Sequence, residues 1–472
     1  MARARSFSAR LRAWFGIDLR SLALFRVALG ALLLVDLASR ARLLETNYAD
    51  LGAHPRELVL AYETAAALPW PHLLFGSTLA QGLLFAAAAV AALLLALGWH
   101  TRLATVASWL LLTSLQARNP LVLDGGDHLL RVLLFWSMFL PLGARASWDA
   151  RHPAADAAPD LVCSPASAAL LLQVAVMFLV TGLLKTGPEW TSDGTAIHYA
   201  LSRKWWILPL GEWLLAHPPL PAWLTPAVRW YELLGPLLLF APLATAKLRL
   251  VGIAGFLGLL AGLGLGLRLN LFPWIGAAGL LPFVPGLVWP AHAAPDAVPS
   301  AARRMLAGAV GVGVLGLLGL VLWINAGSVS SRLEPPAALR SVASLLQLEQ
   351  SWSMYAPSPR HVDVWFRHRG QLRNGAPVDL DRATGGAGWE KVERAWRDYR
   401  FQYFLQKLAA PKWEVPLRAY GEWLCRRWNL DRSGGARLDR IAIERVVQPI
   451  ALPGEAAREP ESQHAAGIVC PL

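Results

Sequence analysis

The chain alternates between apolar runs of about membrane length and short polar connections. Nine runs, near 21–39, 78–98, 103–118, 128–143, 166–185, 224–243, 248–267, 271–290 and 305–325, approach the roughly 20 apolar residues that a bilayer-crossing helix needs. The runs at 103–118 and 128–143 are the shortest, which leaves re-entry as an alternative to crossing for either. Beyond Ile324 the pattern changes. Residues 328–340 read as a polar linker, and the short alternating runs Val362-Asp363-Val364-Trp365-Phe366 and Leu438-Asp439-Arg440-Ile441-Ala442-Ile443 predict strands, with helices near 396–408 and 416–428 between them. The expected architecture is a polytopic α-helical membrane protein of about nine transmembrane helices (1–327), followed by a C-terminal extramembrane α+β domain (328–472).

Composition agrees with the pattern. Of the 472 residues 55% are hydrophobic and only 16% charged, against about 25% in soluble proteins. A net charge of +12 is of the kind that nucleic-acid binders carry, but here the arginines punctuate apolar runs instead of forming one basic face. They orient helices instead, so no nucleic acid is expected. With the N-terminus inside, the inner connections carry Arg3, Arg5, Arg10, Arg12, Arg20, Arg102, Arg145, Arg151, Lys247, Arg249, Arg303 and Arg304. The outer ones carry Arg40, Arg42, Arg56, Arg118, Arg203 and Lys204. This bias places the N-terminus in the cytoplasm and the C-terminal domain outside the inner membrane. The first run shows no small-residue cleavage site and reads as an uncleaved span. Cys163, Cys425 and Cys470 are too few and too scattered for a disulfide framework or a metal site, so no metal is expected. Cys425 and Cys470 fall in an oxidising compartment, where pairing is open to them.

With orientation set, five runs carry polar groups toward the outer leaflet: Asp36, Asp127 with His128 and Arg131, Lys185, Glu232, and Arg268 with Asn270. Charges at membrane depth are costly and face a cavity or a partner. One reading is an outward-opening polar cavity in which Lys185, kept neutral by desolvation, serves as a base oriented by Glu232 or by Asp127 and His128. The plainer reading is that Lys185 reaches back to water, that the rest are structural pairs, and that an Asp-His sequence at a helix start is a cap. Arg26, deep in the first run, is expected to pair with a neighbouring helix. Most of the 22 tryptophans sit near run ends, as interfacial anchors do; ring stacking on a quinone is the alternative for some of them.

Several segments in order resemble the bacterial HTTM (horizontally transferred transmembrane) domain family, a group related to the vitamin K-dependent gamma-glutamyl carboxylases. They are Leu19-Arg20-Ser21-Leu22-Ala23-Leu24-Phe25-Arg26, Arg118-Asn119-Pro120-Leu121-Val122-Leu123-Asp124-Gly125-Gly126-Asp127, residues 134–143, Thr181-Gly182-Leu183-Leu184-Lys185, residues 190–199 and 268–274, and Trp352-Ser353-Met354-Tyr355-Ala356-Pro357-Ser358-Pro359. The resemblance implies an integral membrane, carboxylase-like enzyme, a lyase or oxidase that uses reduced vitamin K or another quinol. It implies Lys185, five residues before Trp190, as the base, with His128 as the counterpart of a second catalytic group. Asp127, Glu232, Arg268, Trp190 and Asn270 are the supporting residues, and a peptide or protein substrate is expected at the outer face. A further family histidine, twelve residues before Phe272, falls on Leu260, which neither binds nor relays a proton. That departure keeps two rivals in view: a non-catalytic membrane scaffold or assembly factor, and a lipid-binding protein or transporter, the latter without the inverted repeat such proteins carry.

Overall fold

The computed structural model describes residues 2–62, 68–151, 160–290 and 301–471; the side chains of residues 2–8, 62 and 301–307, which include Arg3, Arg5, Arg303 and Arg304 of the charge count, lie outside the described set. Among the described residues, fourteen helices of nine or more residues are labelled here. They are α1 (Ala2–Phe15), α2 (Leu19–Ala41), α3 (Thr78–Leu97), α4 (Thr101–Arg118), α5 (Gly125–Ser137), α6 (Pro165–Leu184), α7 (Pro219–Leu239), α8 (Thr245–Gly266), α9 (Phe272–Leu280), α10 (Ala301–Val329), α11 (Ala337–Leu345), α12 (Ala387–Trp396), α13 (Tyr399–Leu408) and α14 (Glu414–Asn429).

Every predicted apolar run contains a helix, but the helices are not equal. Five are long and apolar enough to cross a membrane: α2, α3, α6, α8 and the part of α10 from Gly308 to Val329. The run at 128–143 forms only the 13 residues of α5, because Pro141 and Gly143 stop it, and at ~1.5 Å per residue it falls short of a ~30 Å core. The run at 271–290 gives the nine residues of α9 and then tight turns, where Pro282 and Pro285 cannot donate to a continuing helix. Helix α7 is long enough, yet it holds Pro226 and Pro236; Pro236 has no N–H for the carbonyl of Glu232, four residues earlier.

Contacts sort the connections into two ends. At one end β1 (Ile17–Asp18) pairs with β2 (Leu161–Val162), and Ser21 donates to the carbonyl of Val284. There too Arg249 donates to the carbonyls of Ala13 and Trp14. Arg26 does not meet a neighbouring helix, as expected from sequence. It donates to the carbonyls of Leu142, Arg145 and Ala146, in the connection that follows α5.

The C-terminal region caps the other end. Its sheet has the antiparallel order β4 (Pro377–Asp379), β3 (Val362–Leu372), β5 (Leu438–Pro449), β6 (Glu461–Val469). Ile441 and Ile443 of β5 alternate inward, and a register shift against β3 brings Leu438 to the same side. They pack with Trp389, Phe401, Phe404, Tyr420 and Trp423 from α12, α13 and α14. The predicted strands fall within β3 and β5 and the predicted helices overlap α13 and α14, whereas β4, β6 and α12 were not anticipated. Cys425 and Cys470 form a disulfide that ties α14 to the residue after β6. The core is shared: Leu37, Tyr48, Phe85, Leu115 and Val122 of the helical region belong to the same apolar cluster.

Charge completes the junction. Arg400, at the start of α13, donates to Asp127 Oδ2 at 2.8 Å and to Asp36 Oδ1 at 2.5 Å. Arg40 donates to Asp36 Oδ2 at 2.7 Å, to the Tyr48 hydroxyl at 2.8 Å and to Asp127 Oδ1. All four charged side chains are at least 95% buried, two of each sign. Residues between α11 and β3 return into the helical region. There Gln350 exchanges hydrogen bonds with Gln173 of α6 at 2.8 and 3.0 Å and accepts from Trp352 Nε1 and Asn325 Nδ2.

Replacing Arg400 by alanine strands two buried carboxylates beside one arginine, at an expected cost of about 3–5 kcal/mol. Melting of the detergent-purified variant is expected well below the wild type, with the C-terminal region released first to limited proteolysis. An unchanged melting profile would contradict this account of the junction.

Candidate functional site

Helix α6 ends at Leu184, and Lys185 caps it with a non-helical ψ of 72° that turns the chain away from the axis. Gly182, one turn earlier, lets α7 come close: an added Cβ there would sit 3.0–3.1 Å from Leu233 and from the Glu232 Cβ. Close approach brings Glu232 opposite Lys185, whose ammonium donates to Glu232 Oε2. Both residues are about 95% buried. Nζ also stands 4.6 Å from the ring centroid of Trp190, and Arg229 donates to the Lys185 carbonyl at 2.9 Å. The loop after Lys185 grips the returning segment: Trp190 Nε1 donates to the carbonyl of Tyr355 at 2.8 Å, and Gly187 N to that of Pro357 at 3.0 Å. Glu189 holds His361 at 2.6 Å.

These groups face a cavity of about 970 Å³ at the junction of helical region and C-terminal domain. One side is apolar, with Phe178 of α6, Tyr231 of α7, and Leu260 and neighbouring glycines of α8. The other is polar, made by Asp124, Arg203, and Tyr399, Tyr403 and Lys407 of α13. The expected site residues divide accordingly. Lys185, Glu232, Trp190 and His128 all line the cavity. His128 Nδ1 lies 3.4 Å from Arg131, a long contact, and the ring also hydrogen-bonds the backbone of Glu349. Asp127 lies beside the cavity, bound in the ion cluster with Arg40 and Arg400 and in a capping box with Asp124 at the start of α5. Arg268 is exposed, with its guanidinium 5.4 Å from the Trp205 ring centroid and its backbone N–H on the Trp206 carbonyl. Asn270 takes a left-handed φ of 50° in the turn between α8 and α9 and does not line the cavity. Leu260 sits at the cavity wall and packs against Gly276.

The sequence reading missed the polar side. Tyr399, Tyr403, Gln406 and Lys407 are spaced i, i+4, i+7 and i+8, one face of α13, and all four line the cavity. That stripe was visible, but nothing in the sequence said which partner it met. Asp124 is pushed upward from the usual carboxylate range by burial and then by the Asp127 carboxylate. Tyr403 is pushed up to about 12 by burial, reinforced by Asp124 and Asp127, so its phenol remains a donor at neutral pH. Trp206 is buried among Tyr399, Tyr403 and Leu267, and its indole N–H has no hydrogen-bond partner among the described residues. Among the described residues there is no group of three or more metal-ligating side chains.

The family model described as HTTM domain matches residues 15–285, more than half of the chain, and runs from the start of α2 through α9. No curated protein and no solved structure matches the chain. The chain belongs to the HTTM domain family and is a membrane protein.

Glu232→Ala leaves the Lys185 ammonium buried without its countercharge, at an expected cost of about 3–5 kcal/mol. The double variant Lys185→Met with Glu232→Leu removes both charges and keeps the volume, and is expected to recover most of that loss. Equal melting temperatures for Glu232→Ala and the wild type would show that the two groups do not interact.

Proposed function

We propose that this chain is a membrane enzyme that uses a quinol-type cofactor, with Lys185 as the base and Glu232 as its proton partner. The observation that carries the reading is an amine enclosed in a largely apolar cavity, paired with a carboxylate from another helix and faced by an indole ring. Taking a proton from a hydroxyl against Nζ requires the neutral amine. In this pair the amine is neutral when the shared proton rests on Glu232, and the ammonium formed by transfer then neutralises the oxyanion beside it. A cavity wall of Phe178, Trp190 and Leu260 suits a flat ring, and the unmatched indole N–H of Trp206 suits a ring oxygen. A reduced quinone there would supply the acidic hydroxyl and reducing electrons, as reduced vitamin K does for the related carboxylases. His128, exposed to the cavity, is the second proton-carrying group, and the α13 face is where a peptide substrate from the outer side would be presented.

One observation favours a non-catalytic scaffold instead. Leu260 takes the place of a family histidine and is packed as a core residue. Under that reading the Lys185 pair only joins α6 to α7, and replacing it moves stability alone.

The proposed topology is nine spans in the cell membrane, N-terminus cytoplasmic and C-terminal domain outside. Two features support it: the Cys425–Cys470 disulfide, which persists in an oxidising compartment, and the alternation of successive helical connections between the two ends of the bundle. Cys163, free and exposed between α5 and α6, then lies inside.

Two measurements test these readings. Lipid extracts of the purified protein are expected to contain a quinone by mass spectrometry, and oxygen uptake with reduced vitamin K is expected to fall at least a hundredfold in Lys185→Ala and in Lys185→Met with Glu232→Leu, the second of which keeps its fold. No quinone in any extract, or full uptake in both variants, would overturn the enzyme reading. A membrane-impermeant maleimide is expected to label Cys163 only after the membrane is opened; labelling in intact cells would reverse the orientation.

A further inference from the structure

The cavity is not closed on its apolar side. Leu224 and Ala227 of α7 and Gly258 and Gly262 of α8 line it and are at the same time exposed on the outside of the bundle. An added Cβ at Gly258 or Gly262 would meet no atom within 4 Å, so the α8 side of the gap carries no side chain at these two positions, while Leu224 and Ala227 bound its α7 side. The surface around the gap is apolar: Trp223 and Trp230 of α7 and Leu257 and Leu265 of α8 are all exposed. Helix α8 is itself apolar enough to cross a membrane. An opening framed in this way faces acyl chains, since a soluble protein would not leave such a patch to water.

The inner end of the same cavity has unmet polarity. Trp206, 4% exposed, lines the cavity, and its indole N–H is buried with no acceptor among the described residues. Arg203 and Lys407 put two cations on the same polar side. A buried donor left unpaired costs about 1–3 kcal/mol, a debt that a bound acceptor removes. The volume, about 970 Å³, is at the upper end of the usual ~300–1,000 Å³ for small-molecule sites.

We propose that the cavity is loaded sideways from the bilayer, through a window between α7 and α8 at Leu224, Ala227, Gly258 and Gly262, by a single-tailed lipid-class amphiphile whose head sets a hydrogen-bond acceptor on Trp206. The tail remains in the window and the head reaches the polar side. Loading does not require Lys185 to act as a base, so it stands or falls apart from the enzymatic reading.

The test uses the full chain in phospholipid nanodiscs and palmitic acid carrying a photoreactive diazirine on its tail, with peptide mapping after irradiation. Label is expected within residues 224–231 and 255–263, together with a saturable fraction. Gly262→Phe fills open space, so the variant is expected to fold with the wild-type melting temperature. It is expected to cut the saturable label at least fivefold while label on the lipid-facing residues Leu79 and Leu83 of α3 stays constant. Trp206→Phe keeps the ring and removes the N–H, and is expected to weaken half-saturation about three- to tenfold. Lys185→Met with Glu232→Leu is expected to label like the wild type, which separates this window from the proposed chemistry. Saturable label unchanged in a folded Gly262→Phe, or no saturable label within residues 224–231 and 255–263, would overturn the proposal.

Discussion

Two arginines and two aspartates, sealed from solvent where the helical region meets the C-terminal domain, set the geometry of everything around them. Burying an isolated charge costs several kcal/mol even after relaxation, and only close pairing offsets that. Asp36, Arg40, Asp127 and Arg400 meet the condition because the charges cancel and each carboxylate serves two guanidiniums. Such a cluster adds little net stability over a well-packed apolar junction, but it tolerates no sliding, since a shift of an ångström or two unpairs every member. The register of α13 over α5 is therefore fixed. Tyr399 is adjacent to Arg400, and Tyr403 and Lys407 lie one and two turns further along the same helix, so the cluster also fixes the polar side of the cavity. Asp127 supports the site in this way, from behind the cavity wall.

The Lys185 pair obeys the same electrostatics with a different outcome. It has one charge of each sign, no second partner for either carboxylate oxygen from the described side chains, and an open cavity on one side. A pair with spare valence beside empty space can exchange a proton with an occupant; the four-membered cluster, with its lone pairs already taken, cannot. The small residue that permits the pair, Gly182, and the proline that frees the Glu232 carbonyl, Pro236, lie within a turn of the two charges. Local backbone features thus decide which buried charges are structural and which remain available.

Much of the fold was legible because periodicity carries it. Apolar runs located a helix in every expected place, and alternation located β3 and β5. What failed was length: Pro141, Pro282 and Pro285 cut runs that hydropathy alone reads as continuous. At the site, Lys185, Glu232 and His128 were legible because an ionisable group at membrane depth is costly unless paired or used, and Trp190 by its spacing from Lys185. Arg268 and Asn270 satisfied the same criterion and proved to lie away from the cavity, since a residue at a helix terminus is free to face outward. Arg203, Trp206, Tyr399, Tyr403 and Lys407 were not legible as site residues. Each reads as an ordinary interfacial or core residue until a second domain is placed over it, and no sequence period encodes that placement.

The cavity has a composite origin, and this bears on how its chemistry evolves in the family. The matched family region ends at residue 285, so α6, α7 and α8 with Lys185 and Glu232 fall within it, while α13 falls outside. The apolar wall and the amine thus belong to the shared part, as do Asp124 and Arg203 of the polar wall, and Tyr399, Tyr403 and Lys407 complete that wall from the C-terminal region. A change of substrate then needs only new residues on the face of α13, leaving the amine, its carboxylate and the apolar wall intact. Leu260 fits that division. The wall around Leu260 is apolar, whereas Tyr399, Tyr403 and Asp124 on the opposite wall place protic groups in the same cavity. If chemistry persists without the histidine, its second proton carrier is to be sought on that opposite wall, beside His128.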